Sequence, residues 1–423
     1  MMPSTTIVGT NSSADVQLVQ NAINQNRTVF LKGTFNFTGG ESTPGGQEPL
    51  RVITIANSVR IVGDGLNMII GGERPFYVNN SQAEVSFEVL NFRNSMRIAI
   101  QSKSAKNLVV KGCRFFGMIP MQQQTPGGTV VNFASAISGT ATGTMSILDN
   151  TIEMGNENDS SGNINSTNGM NLTGPTQNLE ISNNNIRKTT AHGIDLRNIT
   201  GAATIKRNNI TTGNIGRGGG VGNFVDGIRC TGEGTYSIVE SNTVDMGFEN
   251  GAAIRLGGLI NQNPSTSSNP SMLSNPSPSK VTGNVVRVTP LSNKSPGPWS
   301  AGIQVQGSCE GVDIEGNTIS GRARSALSVV FSDFPLDLGS GNGNPKDTKL
   351  TQNDHRDLDE ILADIEIQRA EGTVVTALGW GSVSPANRAE EDPVTSVAAD
   401  NTVDGTIVDH GIRTVIHGNY IPV

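Results

Sequence analysis

Two short phrases recur along this chain at a fixed separation, and that separation restricts the fold more than any other feature. The first has the form Gly/Ala-Ile-x-aliphatic and stands at Gly193–Leu196, Gly227–Cys230, Ala253–Leu256 and Gly302–Val305. The second runs aliphatic pair, polar or Gly step, Asn, one residue, then Ile or Val. It appears at Ile147–Ile152 and around Asn184, Asn208, Asn242, Asn284 and Asn317, with a late copy at Asn419. Met170 to Asn184, Ile194 to Asn208, Ile228 to Asn242 and Ile303 to Asn317 are each 14 residues apart. From Met170 onward, successive first phrases are spaced by 24, 34, 26, 49 and 24 residues. The minimum unit is therefore 24 residues, with insertions at variable points.

Each unit holds short runs of period-2 alternation broken by Gly, Asn and Asp, which is strand and turn chemistry. So short a unit cannot bury its own apolar face and must stack on its neighbours. The spacing predicts an all-β fold, a right-handed parallel β-helix of about ten coils. Composition agrees: 51 of 423 residues are Gly, 16% are charged and 4% aromatic, against about 25% charged in ordinary globular domains. A compact helical enzyme is disfavoured. Asn at the recurring turn is expected because it tolerates left-handed backbone and its amide can bond the turn and the next Asn. Ser13 followed by Val16, Val19, Ala22 and Ile23 reads as an N-capped amphipathic helix covering the open end of the ladder. The expected organisation is an amino-terminal segment with this helix (1–27), the β-helix (28–338) and a less regular part (339–423) holding a second amphipathic run, Leu358 to Ile365. Two insertions, near Thr212–Asn223 and Leu259–Ser279, are expected as surface loops.

With 30 Lys+Arg against 37 Asp+Glu the net charge is −7, so no basic field favours nucleic acid or an anionic membrane. No stretch approaches the roughly 20 apolar residues of a membrane span. Cys113, Cys230 and Cys309 are far apart and odd in number, reading as small core residues rather than a disulfide framework or zinc site. No charged-then-apolar leader opens the sequence, yet an extracellular site of action is the expectation.

In the first phrase the aliphatics point inward, so the residue between them points outward and stacks in a column at about 4.8 Å per coil. That column reads Asn171, Asp195, Arg229, Arg255, Gln304, Ser328, and the next outward one Thr173, Arg197, Thr231, Gly257, Gln306. Asn168, His192, Asp226 and Ala252 stand at the strand entrance. Acids, a histidine and arginines thus converge over three middle coils. One reading is a groove for an extended saccharide: Asp195 and Asp226 act as paired carboxylates in glycosidic cleavage, His192 as acid or base, and Arg197, Arg229 and Arg255 bind anionic or hydroxyl groups. Alternatively an Arg serves as base while its partner neutralises a uronate. Gln304, Glu233 and Glu249 are further substrate-binding candidates, and Phe224 and Trp299 offer platforms for sugar rings. The bland reading is a solvated ion-pair network on a sheet. On either reading Asp195, Asp226 and Arg229 point away from the core, and replacing them is expected to leave folding intact.

GIDLRN, DGIRC, AAIRLGG, LEISNNNI and VDIEGNTI resemble the repeat of the pectate-lyase-like superfamily of right-handed β-helices over roughly residues 28–330. Ile98–Phe115 and Glu249–Gly258 are similar to phrases of the alginate lyase and chondroitinase B family, in which Lys and Arg serve as base and acid. Val225–Gly234 is similar to the acidic coil of the inulin fructotransferases, in which an Asp and a Glu act on a fructan. The resemblance implies a polysaccharide lyase, or alternatively a hydrolase or fructotransferase. It makes Ca a candidate cofactor bridging uronates and a homotrimer a candidate assembly. A non-enzymatic tailspike-like or adhesive shaft would keep the solenoid without convergent charges.

Overall fold

The structure, a computed structural model, describes residues 3–38, 51–118, 122–125, 128–131, 134–154, 167–212, 225–232, 235–247, 251–257, 279–288, 300–306, 309, 311–321, 325–330, 349–351, 397–399, 407–409 and 415–417. The second amphipathic run, most of both insertions and the late copy at Asn419 lie outside these residues. The chain is a right-handed parallel β-helix with one α-helix among the described residues. It divides into two compact units, Met1–Leu196 and Arg197–Val423.

In the first unit three inner columns of side chains make the core. One wall stacks Ile53, Phe76, Ile100, Ile137 and Met170 in register. A second stacks Ile61, Phe87, Val110, Ile147 and Ile181, and a third Phe35, Ile69, Phe92, Phe115, Ile152 and Ile186. All of them are essentially fully buried. The aromatics gather here: Phe92 and Phe115 stack at 4.9 Å, and Phe76 meets Phe87 edge-on at 5.3 Å. The second unit repeats the three walls in aliphatics. These are Ile228, Ile254 and Ile303; Ile205, Val239, Val281 and Ile314; and Ile210, Val244, Val286 and Ile319. The inward aliphatics of the first phrase form one wall, and the residue two past the ladder Asn forms another.

The recurring Asn does more than shape a turn. In the second unit the Asn242 Oδ1 accepts from the backbone N–H of Asn208 at 3.0 Å and from its amide at 2.9 Å. Asn284 does the same for Asn242, and Asn317 for Asn284. Each amide also donates inward to a strand carbonyl: Asn242 to Ile205, Asn284 to Val239, Asn317 to Val281. The first unit has the same bond from Asn150 to Asn184. The left-handed backbone, however, belongs to the residue before each Asn. Asp149 (φ 58), Asn183 (φ 56), Arg207 (φ 53) and Ser241 (φ 54) hold it, then Gly283 (φ 61) and Gly316 (φ 61). The Asn is needed for its amide, because a buried turn must satisfy its own N–H and C=O groups.

Cys113 stands one residue after the left-handed Gly112, the place Asn takes in later coils, and its N–H donates to Asn150 Oδ1 at 2.9 Å. Burial pushes its thiol up to about 12. The thiolate is the reactive form, so the native protein is expected to leave Cys113 unmodified by iodoacetamide at mildly alkaline pH and to alkylate it once unfolded. Peptide mapping before and after denaturation checks this, and native labelling at the denatured rate would contradict it.

Strand β1 (Ser4–Thr10) pairs in parallel with β2 (Thr28–Asn36), so the ladder begins ahead of residue 28. Helix α1 (Ala14–Gln25) connects them and buries Val19, Ala22 and Ile23, with Val16 half-buried. Ser13 makes no side-chain cap bond. Ser12 Oγ accepts from the Ala14 N–H at 3.2 Å, and Asp15, buried in the first turn, ties down the chain ahead of the helix, its carboxylate accepting from the N–H groups of Thr10 at 2.6 Å and Ser12 at 3.2 Å. A carboxylate there also meets the positive end of the helix dipole. Gln20 pairs its amide with the backbone of Thr54, donating to the carbonyl at 2.9 Å and accepting from the N–H at 2.8 Å. It completes the edge of the strand Ile53–Ile55.

Candidate functional site

The second unit brings together Asp226, Arg255 and two glutamines. Asp226 stands immediately before Gly227, where the strand of the first phrase begins. Gly227 is forced by packing: a Cβ there would strike the Val244 side chain and come within 2.5 Å of the Ala253 carbonyl oxygen. With its neighbour held this tightly, the Asp226 carboxylate is aimed along the strand entrance. Its Oδ1 accepts from the Ala252 N–H at 2.9 Å and from Arg255 Nε at 2.9 Å. Arg255 Nη1 donates onward to Gln306 Oε1 at 2.8 Å.

Register places the other members. Arg229, Arg255, Gln304 and Ser328 are Cα partners on successive parallel strands, and Thr231, Gly257 and Gln306 form the next column. From Arg229 and Thr231 onward, the two columns keep the register that the phrase spacing predicts. Two arginines directly opposite on a ladder repel, so this pairing needs compensation, and the Asp226 carboxylate supplies it to Arg255.

The expectation of outward, solvated carboxylates is corrected. Asp226 and Asp195 are each 0% exposed, and Arg255 is 4% exposed. Asp226 and Arg255 form a buried ion pair at 2.9 Å, not a surface network. Two charges leave water together only when geometry and further hydrogen bonds compensate their desolvation. Here Ala252 and Gln306 provide those bonds. Replacement of either buried carboxylate, Asp195 or Asp226, is therefore expected to cost stability. Arg229 is half-buried and Gln304 buried.

His192 and Asp195 lie in the first unit, where the buried His192 donates its backbone N–H to Asn168 Oδ1 at 2.9 Å. Arg197 is exposed. Glu233, Glu249, Phe224 and Trp299 lie outside the described residues. Among the described residues, no group of three or more His, Cys, Asp or Glu side chains is gathered that could hold a metal ion, and no helix is long and apolar enough to cross a membrane.

One cluster escapes the phrase search. In the first unit Arg74, Tyr77 and Gln101 meet on the outward face. Their coils lack the Gly-Ile-x-aliphatic phrase because the strands there, Phe76–Glu88 and Ile98–Lys111, run on through two walls without a Gly break. The signal is the alternation itself, Phe76-Tyr77-Val78 against Ile100-Gln101-Ser102. Compared with known proteins, the chain matches no family model, no curated protein sequence and no solved structure.

Proposed function

We propose that this protein is a carbohydrate-active enzyme, related to the pectate-lyase-like superfamily its repeat resembles. It would cleave glycosidic bonds of a uronate-bearing saccharide along the outward face by lyase chemistry. The observation that carries this reading is the in-register pair Arg229 and Arg255, two guanidinium groups side by side on adjacent strands, with Arg255 held in place by a fully buried carboxylate. The fork of a guanidinium matches a carboxylate's geometry. Binding a uronate carboxylate there neutralises it, which acidifies the proton on the adjacent ring carbon. In β-elimination that proton leaves to a base, the electron pair forms a carbon–carbon double bond, and the glycosidic oxygen departs and is protonated.

Asp226 supports elimination over paired-carboxylate hydrolysis, because it is engaged twice through one oxygen and fully buried. Its role is to position Arg255, whose guanidinium is fixed at both Nε and Nη1. Incubation with polyuronates is expected to raise the ultraviolet absorbance of an unsaturated uronate. Arg229→Ala should lower kcat/KM by about a hundredfold with little change in melting temperature, since the side chain is half-buried. Products released from a fructan without that absorbance would favour the hydrolase or fructotransferase alternative. No product from any glycan would favour a binding shaft.

A further inference from the structure

On the outward face of the first unit Thr54, Tyr77, Gln101, Ser138 and Asn171 succeed one another on in-register strands. Thr54 is exposed and the others are half-buried. Arg74 stands beside this row. Its guanidinium lies 5.4 Å from the Tyr77 ring centroid, and Nη1 donates to Gln101 Oε1 at 3.0 Å. Its Nε is buried and makes no hydrogen bond. The carboxylate next to it in sequence, Glu73, is buried and held by Arg97 at 3.0 Å. No carboxylate among the described residues pairs with Arg74.

A guanidinium pinned by a ring on one side and an amide at one corner loses little further freedom on binding, so its remaining donors are pre-organised for an anion. The cation–π contact fixes its plane. The partners alongside are not those of a bare inorganic ion: the Tyr77 ring gives apolar surface, and Gln101, Ser138 and Asn171 give amide and hydroxyl groups at intervals of about 4.8 Å. Charge, apolar ring face and a row of neutral polar groups together match a sugar acid.

We propose that Arg74, Tyr77 and Gln101 form a subsite for a carboxylate-bearing sugar unit, Arg74 taking the carboxylate. The proposal deepens the saccharide-binding reading above and rests on it, but it concerns binding alone and is independent of turnover.

The test is calorimetric binding of an oligogalacturonate and of a neutral oligofructan to the full chain, in parallel with product formation from each. Arg74→Ala and Tyr77→Ala should each weaken oligogalacturonate binding by about tenfold or more. Arg74→Lys should recover only part of it, because an ammonium lacks the fork. Melting temperatures of the variants establish that they are folded. Wild-type affinity in folded Arg74→Ala, or wild-type protein that binds no oligogalacturonate, overturns the subsite. Arg74-dependent binding without product from any glycan sustains the subsite and sinks the enzyme reading. Turnover of a uronate with binding indifferent to Arg74 does the reverse.

Discussion

Asp226→Ala is expected to destabilise the protein by about 3–5 kcal/mol, the usual consequence of removing one partner from a buried ion pair. The effect is large because the Arg255 guanidinium stays behind, 4% exposed, with its Nε and the Ala252 N–H both deprived of their acceptor. Asp226→Asn keeps a carbonyl oxygen for those donors and removes the charge, so it should lie between wild type and Ala. Replacing both partners with apolar residues of similar size should cost less than Asp226→Ala, because no uncompensated charge is left. Urea unfolding of the single and double variants measures this. An Asp226→Ala midpoint equal to wild type would mean that the carboxylate does not hold Arg255 in the native protein. The activity prediction is separate: Arg229→Ala should lose turnover while folding normally, whereas Asp226→Ala should lose both.

Asn242→Ala should be at least as damaging, although it removes no charge. Its side chain accepts two bonds from Asn208 and donates to Ile205 and Asn284, all buried. Leaving several buried donors and acceptors unmade at roughly 1–3 kcal/mol each gives a loss on the order of 3–6 kcal/mol. Asn242→Asp is a sharper probe, since it retains both acceptor bonds but puts a charge where the two donated bonds were. It should be no better than Ala at neutral pH. A loss below about 1 kcal/mol for Asn242→Ala, the worth of a single net hydrogen bond, would remove the ladder as a stabilising element.

The fold was legible because a β-helix writes its geometry at constant offset. The distance from Ile228 to Asn242 equals that from Ile303 to Asn317, since each coil passes the same walls in the same order. Strand alternation then assigned the outward columns, and Arg229, Arg255 and Gln304 fall where the phrases placed them. Helix α1 was legible from Val19, Ala22 and Ile23. Its cap was not: Ser13 makes no side-chain cap bond, and the Asp15 carboxylate accepts instead from Thr10 and Ser12 ahead of the helix.

Burial was the main thing the linear pattern could not carry. Alternation says which way Asp195 points relative to the strand, but whether that side meets water depends on what the rest of the chain lays over it. Asp226 likewise lies next to Gly227 in sequence, while its partners Ala252 and Arg255 arrive a coil later. The sequence by itself determined the periodic backbone, since stacking identical turns is the one way a 24-residue unit buries its aliphatics. Tertiary structure decided the electrostatics of the site. A carboxylate's partners and its exposure are set by neighbours across coils, where insertions of variable length decouple distance in space from distance along the chain.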